Sequence, residues 1–169
     1  MARPSPPLFV VALLLAGGWA TPATGVPSDE IDTLISQLPT RHWDAAVERL
    51  VEIGPPAVEA LTAATREPGH VRGRACEALA RIGTGPALDV VHAAARSEEP
   101  GLRRGVVAAL AFDPSEHSRA LLVKILRDDP AWGVRGEAAR SLGRIGGSAA
   151  FEPLQNALED EVEWVRVAS

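Results

Sequence analysis

The chain has 169 residues and a formal net charge of -5, from 22 acidic and 17 basic side chains. This length suits one domain that buries most of its apolar surface and is short for two. Nucleic acids and anionic membrane surfaces are bound mainly through an excess of Lys and Arg, so the acidic balance argues against both kinds of partner.

The N-terminal segment has the features of an export signal. Arg3 supplies a positive charge before the apolar run LFVVALLLA, and small residues follow that run. The run is too short to span a bilayer comfortably. We predict a signal peptide over residues 1–20, a linker over 21–27 and an exported domain over 28–169. If the signal is not cleaved, the chain is membrane-anchored instead.

An amphipathic helix is predicted directly after the linker, from Asp29 to Leu38. Ser28 is the expected N-cap residue of this helix. Its apolar face is formed by Ile31, Leu34, Ile35 and Leu38. We expect the helix to cover the N-terminal end of the elements that follow.

A repeated pattern occupies the rest of the chain and is anchored by Leu50, Leu79, Leu110 and Leu142, which are 29, 31 and 32 residues apart. Around each anchor, apolar residues recur four and three positions earlier and three positions later. This spacing predicts one buried stripe on a helix, here called the first helix of each unit. Asp113 departs from the pattern, so the third of these helices is expected to end early.

A turn rich in Gly or Pro follows each first helix and leads into a second helix. The expected core residues of the second helices are Val58 with Leu61, Leu88 with Val91, Leu122 with Ile125, and Phe151 with Leu154.

Helical hairpins of this length cannot bury their apolar faces alone and must stack on one another. The predicted fold is therefore all-α: a right-handed α-solenoid of about four helical hairpins with an N-terminal capping helix. The predicted units cover approximately residues 41–66, 71–97, 102–128 and 134–160, with a partial fifth unit at 163–169. Because this last unit leaves the apolar end of the fourth uncovered, docking of a partner or continuation of the array is expected there.

The segment DDPAWGVRGEAARSLGRIG resembles HEAT-like repeats of the phycobilisome-lyase type. The resemblance implies a solenoid but no particular activity, because such repeats serve scaffolds, lyases, nucleic-acid enzymes and regulatory adaptors. The first unit departs most from the pattern, since His42 and Trp43 stand where later units have an apolar residue and Arg.

An arginine recurs near the start of each first helix, and an acidic residue precedes it by four to six positions. Each arginine is interpreted as bonding the acid of its own inter-repeat turn, which forms a structural ladder along the solenoid, as the resemblance also implies. A basic edge that grips an anion is the alternative. The pairs are Arg72 with Glu67, Arg103 with Glu99, Arg135 with Asp129, and Arg166 with Asp160.

Reactive groups do not converge in the sequence. Cys76 shares its repeat position with Val47, Val107 and Ala139, which predicts a core thiol. The histidines, His42, His70, His92 and His117, are scattered and lack the close helical spacing of a metal site. We therefore predict no catalytic residue, no metal and no cofactor.

Two glycines, Gly73 and Gly136, lie inside predicted first helices. A helical Gly costs roughly 1 kcal/mol relative to Ala. The expected reason for both is the close approach of a neighbouring helix.

Acidic residues recur one position after the first anchor of the second helices. The second helices are expected to line the concave face, where such a line would receive a cationic or extended polypeptide. An ordinary solvated helix face is the alternative. The candidate binding residues are Glu59, Asp89 and Glu152, with His92, Gln155 and Asn156 beside them.

Three tryptophans, Trp43, Trp132 and Trp164, fall at or just before the start of a first helix. Stacking is expected to place them along one edge, where exposed indoles are favoured at binding hot spots. Alternatively, each indole folds back over its inter-repeat turn.

The predicted function is an exported, non-catalytic scaffold or adaptor that binds another protein or peptide. One alternative is an enzyme or enzyme subunit, such as the bilin lyases that carry these repeats. A second alternative is a nucleic-acid-binding HEAT protein of the DNA-glycosylase sort, which the acidic charge disfavours.

Overall fold

The computed structural model describes residues 26–168, which form ten α-helices and two short 3-10 segments and contain no strand. The predicted signal peptide and most of the predicted linker lie outside this range. None of the helices in the range is long and apolar enough to cross a bilayer. The helices are α1 (Ser28–Gln37), α2 (Trp43–Ile53), α3 (Val58–Ala64), α4 (His70–Ile82), α5 (Gly85–Ala94), α6 (Pro100–Leu110), α7 (Glu116–Asp128), α8 (Trp132–Ile145), α9 (Phe151–Ala157) and α10 (Glu163–Ala168).

Successive helices pair into hairpins, which confirms the predicted solenoid. Helices α2, α4, α6 and α8 are the first helices of four hairpins, and α3, α5, α7 and α9 are the second helices. Helix α10 lies against α8 as a further first helix. Helix α1 packs on α2 and α3, where Leu38 is fully buried and Arg49 bonds Glu30 at 2.8 Å, so α1 covers the N-terminal end as expected.

The start of α1 differs from its prediction. The helix begins at Ser28 itself, and Pro27 occupies the N-cap position without a side-chain hydrogen bond. Ser28 bonds the carboxylate of Asp29 at 3.2 Å instead of a backbone N–H. Proline presets a φ suited to a helix entry, which explains why the helix starts one residue early.

One continuous apolar core runs through the stack from Ile31 to Val165. All four anchor leucines are fully buried, and so is Cys76. Phe151, predicted as a core residue, is instead 67% exposed. It is the first residue of the short helix α9, which follows a 3-10 turn that shifts the register of the apolar face.

The first helices form a tightly packed layer, whereas the second helices touch one another less. Glycine permits the tightest crossing, because a Cβ on Gly105 of α6 would lie 3.4 Å from the Cα of Gly73 of α4. The predicted role of Gly73 is thereby confirmed. The prediction that the second helices line the concave face stays a prediction.

The turns follow the predicted chemistry. Gly83 ends α4 with a left-handed φ of 68°, a conformation that costs Gly nothing. Helix α6 ends early, at Leu110, as expected from the break in the apolar pattern at Asp113. The Asp113 carboxylate is buried and accepts hydrogen bonds from the hydroxyls of Ser115 and Ser118.

The arginine ladder exists, but its register differs from the prediction. Arg103 donates from Nε and Nη2 to both carboxylate oxygens of Asp129, at 2.7 and 2.8 Å. Its Nη1 donates to the backbone carbonyls of Ser97 and Glu98. Arg103 thus donates hydrogen bonds to backbone carbonyls of the turn before its helix and to a carboxylate of the turn after its helix. The predicted pairing of Arg103 with Glu99 is wrong, because Asp129 begins the hairpin stacked beside Arg103.

The other ladder members repeat this arrangement. Arg135 holds Asp160 at 2.9 and 3.0 Å and the Asp129 carbonyl at 3.0 Å. Arg72 bonds the Glu67 carbonyl and the Glu99 carboxylate, both at 2.5 Å. Arg166 makes the carbonyl half of the arrangement, with Asp160 and Glu161. The acids are bound a second time by backbone N–H groups, Asp129 from Ala131 and Asp160 from Val162. The rungs of Arg72, Arg103 and Arg135 therefore join neighbouring hairpins.

Two glycines of α8 differ in what a methyl group would meet. A Cβ on Gly136 would lie 2.6 Å from Nε1 of Trp164, whereas a Cβ on Gly143 meets nothing within 4 Å. We expect Gly143→Ala to raise the free energy of unfolding by about 0.5–1 kcal/mol, because Ala is the better helix former. Gly136→Ala gains the same propensity but displaces the indole, so urea unfolding should show it to be the less stable variant. Equal stabilisation in both variants would contradict the close contact with Trp164.

Candidate binding groove

A cavity of about 500 Å³ opens over the layer of first helices. We call it the inner groove. Trp43 of α2 borders it on one side and Phe112, in the turn after α6, on the other. Its floor is made of small or apolar residues of the two central first helices, Gly73, Leu102, Gly105, Ala108 and Ala109. The groove exists because these small side chains leave the crossing of α4 and α6 unfilled.

Arginines hold both aromatic borders of the inner groove. The guanidinium carbon of Arg74 lies 4.7 Å from the Trp43 ring centroid, and Arg74 also bonds the Leu38 carbonyl. The guanidinium carbon of Arg81 lies 5.6 Å from the Phe112 ring centroid. Cation–π contacts of this kind orient an aromatic ring without burying it. Phe112 remains 46% exposed and so presents its surface to the cavity.

Charges on the groove wall are only partly neutralised. Arg72 is paired with Glu99, and Arg81 with Glu48 at 2.6 Å. Arg144 is exposed and forms no hydrogen bond or ion pair within the described range. It is therefore the cation of the groove wall that is open to a ligand.

Glu77 is an acidic residue of the groove lining, and its ion-pair partner Arg81 is 3.8 Å away. Burial raises the pKa of Glu77 above its ordinary value, and the nearest cation, Arg81 at 3.8 Å, lowers it only in part. Burial thus makes the charged form of Glu77 less favourable than that of an exposed glutamate.

The acidic residues predicted on the second helices do not all border one cavity. Glu59, Asp89, Glu152, Gln155 and Asn156 are all exposed. Glu152 and Asn156 border a second cavity of about 410 Å³ between α7 and α9, here called the outer cavity, together with Val123, Leu126 and Pro153. Glu59 and Asp89 lie on α3 and α5, away from it. The predicted member His92 is buried and cannot belong to a binding surface.

The predicted tryptophan edge is not formed as expected. Trp43 is half-buried against Arg74. Trp164 lies over Gly136, with the Arg140 guanidinium 5.4 Å from its ring centroid, which confirms the expected role of that glycine. Trp132 is 54% exposed and does not line the inner groove. Two of the three indoles therefore pack on the neighbouring first helix.

A Ser–His–Asp grouping occurs where the sequence shows scattered residues. His92 Nε2 lies 2.8 Å from Ser118 Oγ, and Ser118 donates to Asp113 Oδ2 at 2.5 Å. In a nucleophilic triad the carboxylate orients the imidazole and the serine is accessible to substrate. Here the carboxylate accepts from the serine itself, and Ser118 is fully buried. The grouping has the geometry of a structural tie between α5 and the start of α7.

The Cys76 thiol and the possible metal ligands are the remaining reactive groups. Burial raises the pKa of the Cys76 thiol to about 12, which keeps it protonated and unreactive at neutral pH. Residues 26–168 contain no group of three or more His, Cys, Asp or Glu side chains that could hold a metal ion.

Sequence reasoning missed two lining residues of the inner groove, Phe112 and Arg144, and also Arg81, whose guanidinium contacts the Phe112 ring. These three residues stand two positions after the anchors Leu110, Leu142 and Leu79. On a helix with its core stripe at the anchor, that position projects from the opposite side. Its changing chemistry from unit to unit is the signal that could have identified the groove.

Comparisons with known proteins agree with this architecture. Residues 54–137 and 88–169 match the family model of HEAT repeats. The chain is similar in structure to the complex of CpcE and CpcF of phycocyanin lyase from Nostoc sp. PCC7120, with a TM-score of 0.63 and 23% identity over 84% of this chain and 96% of that chain. Human deoxyhypusine hydroxylase in complex with glycerol is similar with a TM-score of 0.56 and 19% identity over 84% of this chain and 60% of that chain. These likenesses concern the fold.

A curated relative is similar over a shorter stretch. Epoxyqueuosine reductase from Bacillus cereus is 36% identical over 66 residues, which are 39% of this chain and 17% of the reductase. The match therefore spans less than a fifth of that protein.

Proposed function

Since the chain belongs to the HEAT repeat family, we propose that it is a non-catalytic protein-binding module and that its inner groove receives the partner. A solenoid of this fold occurs in the complex of CpcE and CpcF, which supports association with another protein. The proposal covers a scaffold or adaptor role. Export, predicted from residues 1–20, is part of the same proposal.

The observation that carries this proposal is the exposed ring of Phe112 beside an apolar floor. Binding energy at protein interfaces concentrates in aromatic and arginine residues that surround a pocket. The inner groove combines Trp43 and Phe112 with Arg144 around a cavity large enough for one or two apolar side chains. An apolar anchor of the partner would occupy the floor, and a carboxylate beside that anchor would pair with Arg144.

Photo-crosslinking tests the location of the partner. A photo-reactive amino acid at Ala108, on the groove floor, should capture the partner in cells that produce the full chain. The same amino acid at Lys124, an exposed position on α7, is the matched control and should capture it far less. The captured protein then provides the ligand for affinity measurements.

Phe112→Ala is expected to weaken that complex by at least about tenfold, because it removes a central aromatic contact. Phe151→Ala is the control, since Phe151 is equally aromatic and more exposed but lies outside the inner groove. Isothermal titration calorimetry measures both affinities. If Glu152→Arg loses binding while Phe112→Ala retains it, the partner binds at the outer cavity and the assignment to the inner groove is wrong.

The earlier proposal of a cationic partner applies to the outer cavity. Its exposed acids Glu152 and Glu159 border apolar residues and have no ion-pair partner in the described range. Docking of a partner on the surface formed by α9 and α10 is a further part of the proposal. Leu158 and Val167 are exposed there, and the Nε of Arg166 is not engaged by a described residue.

Each alternative function has its own readout. A bilin-lyase role requires a tetrapyrrole to co-purify and to colour the protein. A nucleic-acid role requires binding to DNA that strengthens as salt is lowered. Export is tested by cell fractionation and intact-mass measurement, which should show a processed chain that lacks about 20 residues.

A further inference from the structure

A buried polar cluster joins the second and third hairpins on the side of the stack opposite the inner groove. His92 of α5 bonds Ser118 of α7 at 2.8 Å, and Ser118 bonds Asp113 at 2.5 Å. Ser115, whose hydroxyl caps the N-terminus of α7, donates to the same carboxylate at 2.8 Å. Both residues are buried, since His92 is 9% exposed and Asp113 is 7% exposed.

The hydrogen bonds define the protonation of His92. Since the Ser118 hydroxyl donates its proton to Asp113, its oxygen must accept from His92 Nε2–H. A neutral imidazole carries one N–H, so Nδ1 of His92 is unprotonated in this network. A second proton would add a full charge to a mostly buried ring.

The groups around His92 make that charge unfavourable. The His117 ring of α7 lies 4.3 Å from the His92 ring, centroid to centroid. Burial, followed by His117 and Arg96, lowers the pKa of His92, whereas Asp113 at 3.8 Å and Asp89 raise it by less. Protonation of His92 places its positive charge directly beside the His117 ring.

This cluster lies where two consecutive second helices have little packing of their own. Helices α5 and α7 have the sparsest packing among consecutive second helices, whereas α4 and α6 cross tightly at Gly73 and Gly105. The glycine crossing can therefore act as a pivot, with the histidine cluster as the tie on the far side. The inner groove spans the same pair of hairpins.

We propose that His92 and His117 form a pH-sensitive joint, in which acidification releases α7 from α5 and changes the angle between the second and third hairpins. The consequence for binding rests on the proposed function of the inner groove. The joint itself does not, because it depends only on the cluster.

Linkage gives the direction of the stability effect. The lowered pKa of His92 means that the folded chain binds fewer protons than the unfolded chain. The contribution of the cluster is therefore complete above the ordinary histidine pKa of about 6.5 and is lost as pH falls through the lower folded value.

Pulsed electron paramagnetic resonance on the full chain tests the joint without any partner. Spin labels at Ala93→Cys in α5 and Ala120→Cys in α7 report the distance across the seam, in a Cys76→Ala background that leaves no other thiol. Between about pH 7.5 and about pH 5 the distance should lengthen or its distribution should broaden. Labels at Ala63→Cys and Ala93→Cys, across the α3–α5 seam, are the control and should show no such change.

Two variants connect the change to the cluster. His92→Gln keeps a donor for Ser118 but cannot titrate, so the α5–α7 distance should become independent of pH. His117→Gln removes one of the groups that lower the pKa of His92, so the change of the α5–α7 distance with pH should become smaller. A parent chain whose distance is the same at both pH values overturns the proposal, and so does a change that persists in His92→Gln. Failure of Phe112→Ala to affect binding would instead overturn the proposed function and leave the joint standing.

Discussion

Arg103→Met is expected to lower the free energy of unfolding by about 3–5 kcal/mol, the cost of leaving one member of a buried ion pair without its partner. Only 11% of the Arg103 side chain and 6% of the Asp129 side chain are exposed. The substitution would strand the Asp129 carboxylate and two backbone carbonyls of the preceding turn. Urea unfolding followed by circular dichroism measures the loss.

The first rung of the ladder is the matched control for this prediction. Arg72 makes the same kind of contact, but its partner Glu99 is 60% exposed, so water replaces the lost bond. Arg72→Met should therefore cost only about 0–1 kcal/mol. The double variant Arg103→Met/Asp129→Leu should cost less than Arg103→Met alone, because no charge remains buried. Equal losses at the two rungs would show that burial does not govern the strength of the ladder.

Acidification should weaken the same ladder ion pairs, because it protonates their carboxylates. The pKa of Asp129 is lowered: burial raises it, but hydrogen bonds from Arg103 and Ala131 more than compensate. The hydrogen bond from Arg135 likewise lowers the pKa of Asp160. For a carboxyl with a lowered folded pKa, the stabilisation is present above the unfolded value of about 3.9 and is lost as pH falls through the folded value. This loss lies at lower pH than that of the histidine joint, so the two contributions can be separated.

The fold could be predicted because packing leaves a periodic record in the sequence. Leu50, Leu79, Leu110 and Leu142 are all fully buried, and so is Cys76, whose position was assigned to the core by its repeat companions. A helical hairpin that buries one face must repeat the same apolar spacing in every unit. Phe151 is the exception, because a 3-10 turn before a short helix shifts a register that spacing alone could not reveal.

The site could not be predicted to the same extent, because it depends on which hairpins touch. Arg103 pairs with Asp129, 26 positions later, and not with the nearer Glu99. His92 and His117 meet only because α5 and α7 are stacked. Their separation in the sequence exceeds any helical spacing, so no local motif marks the cluster. The inner groove has the same origin, since Trp43 and Phe112 come from hairpins on either side of α4.

Leu110→Ala is expected to destabilise the chain by about 2–5 kcal/mol, the range for a buried leucine whose cavity does not collapse. Leu110 has no exposed surface and ends α6, where the cores of the second, third and fourth hairpins meet. Each hairpin completes its core with its neighbours, so the loss should be shared along the stack and should appear as one cooperative transition at lower urea. Leu158→Ala is the control: Leu158 is 54% exposed and should change the stability by less than about 0.5 kcal/mol. A two-step transition in Leu110→Ala would instead show that the hairpins on either side of α6 unfold independently, and the shared core would then be less continuous than its contacts indicate.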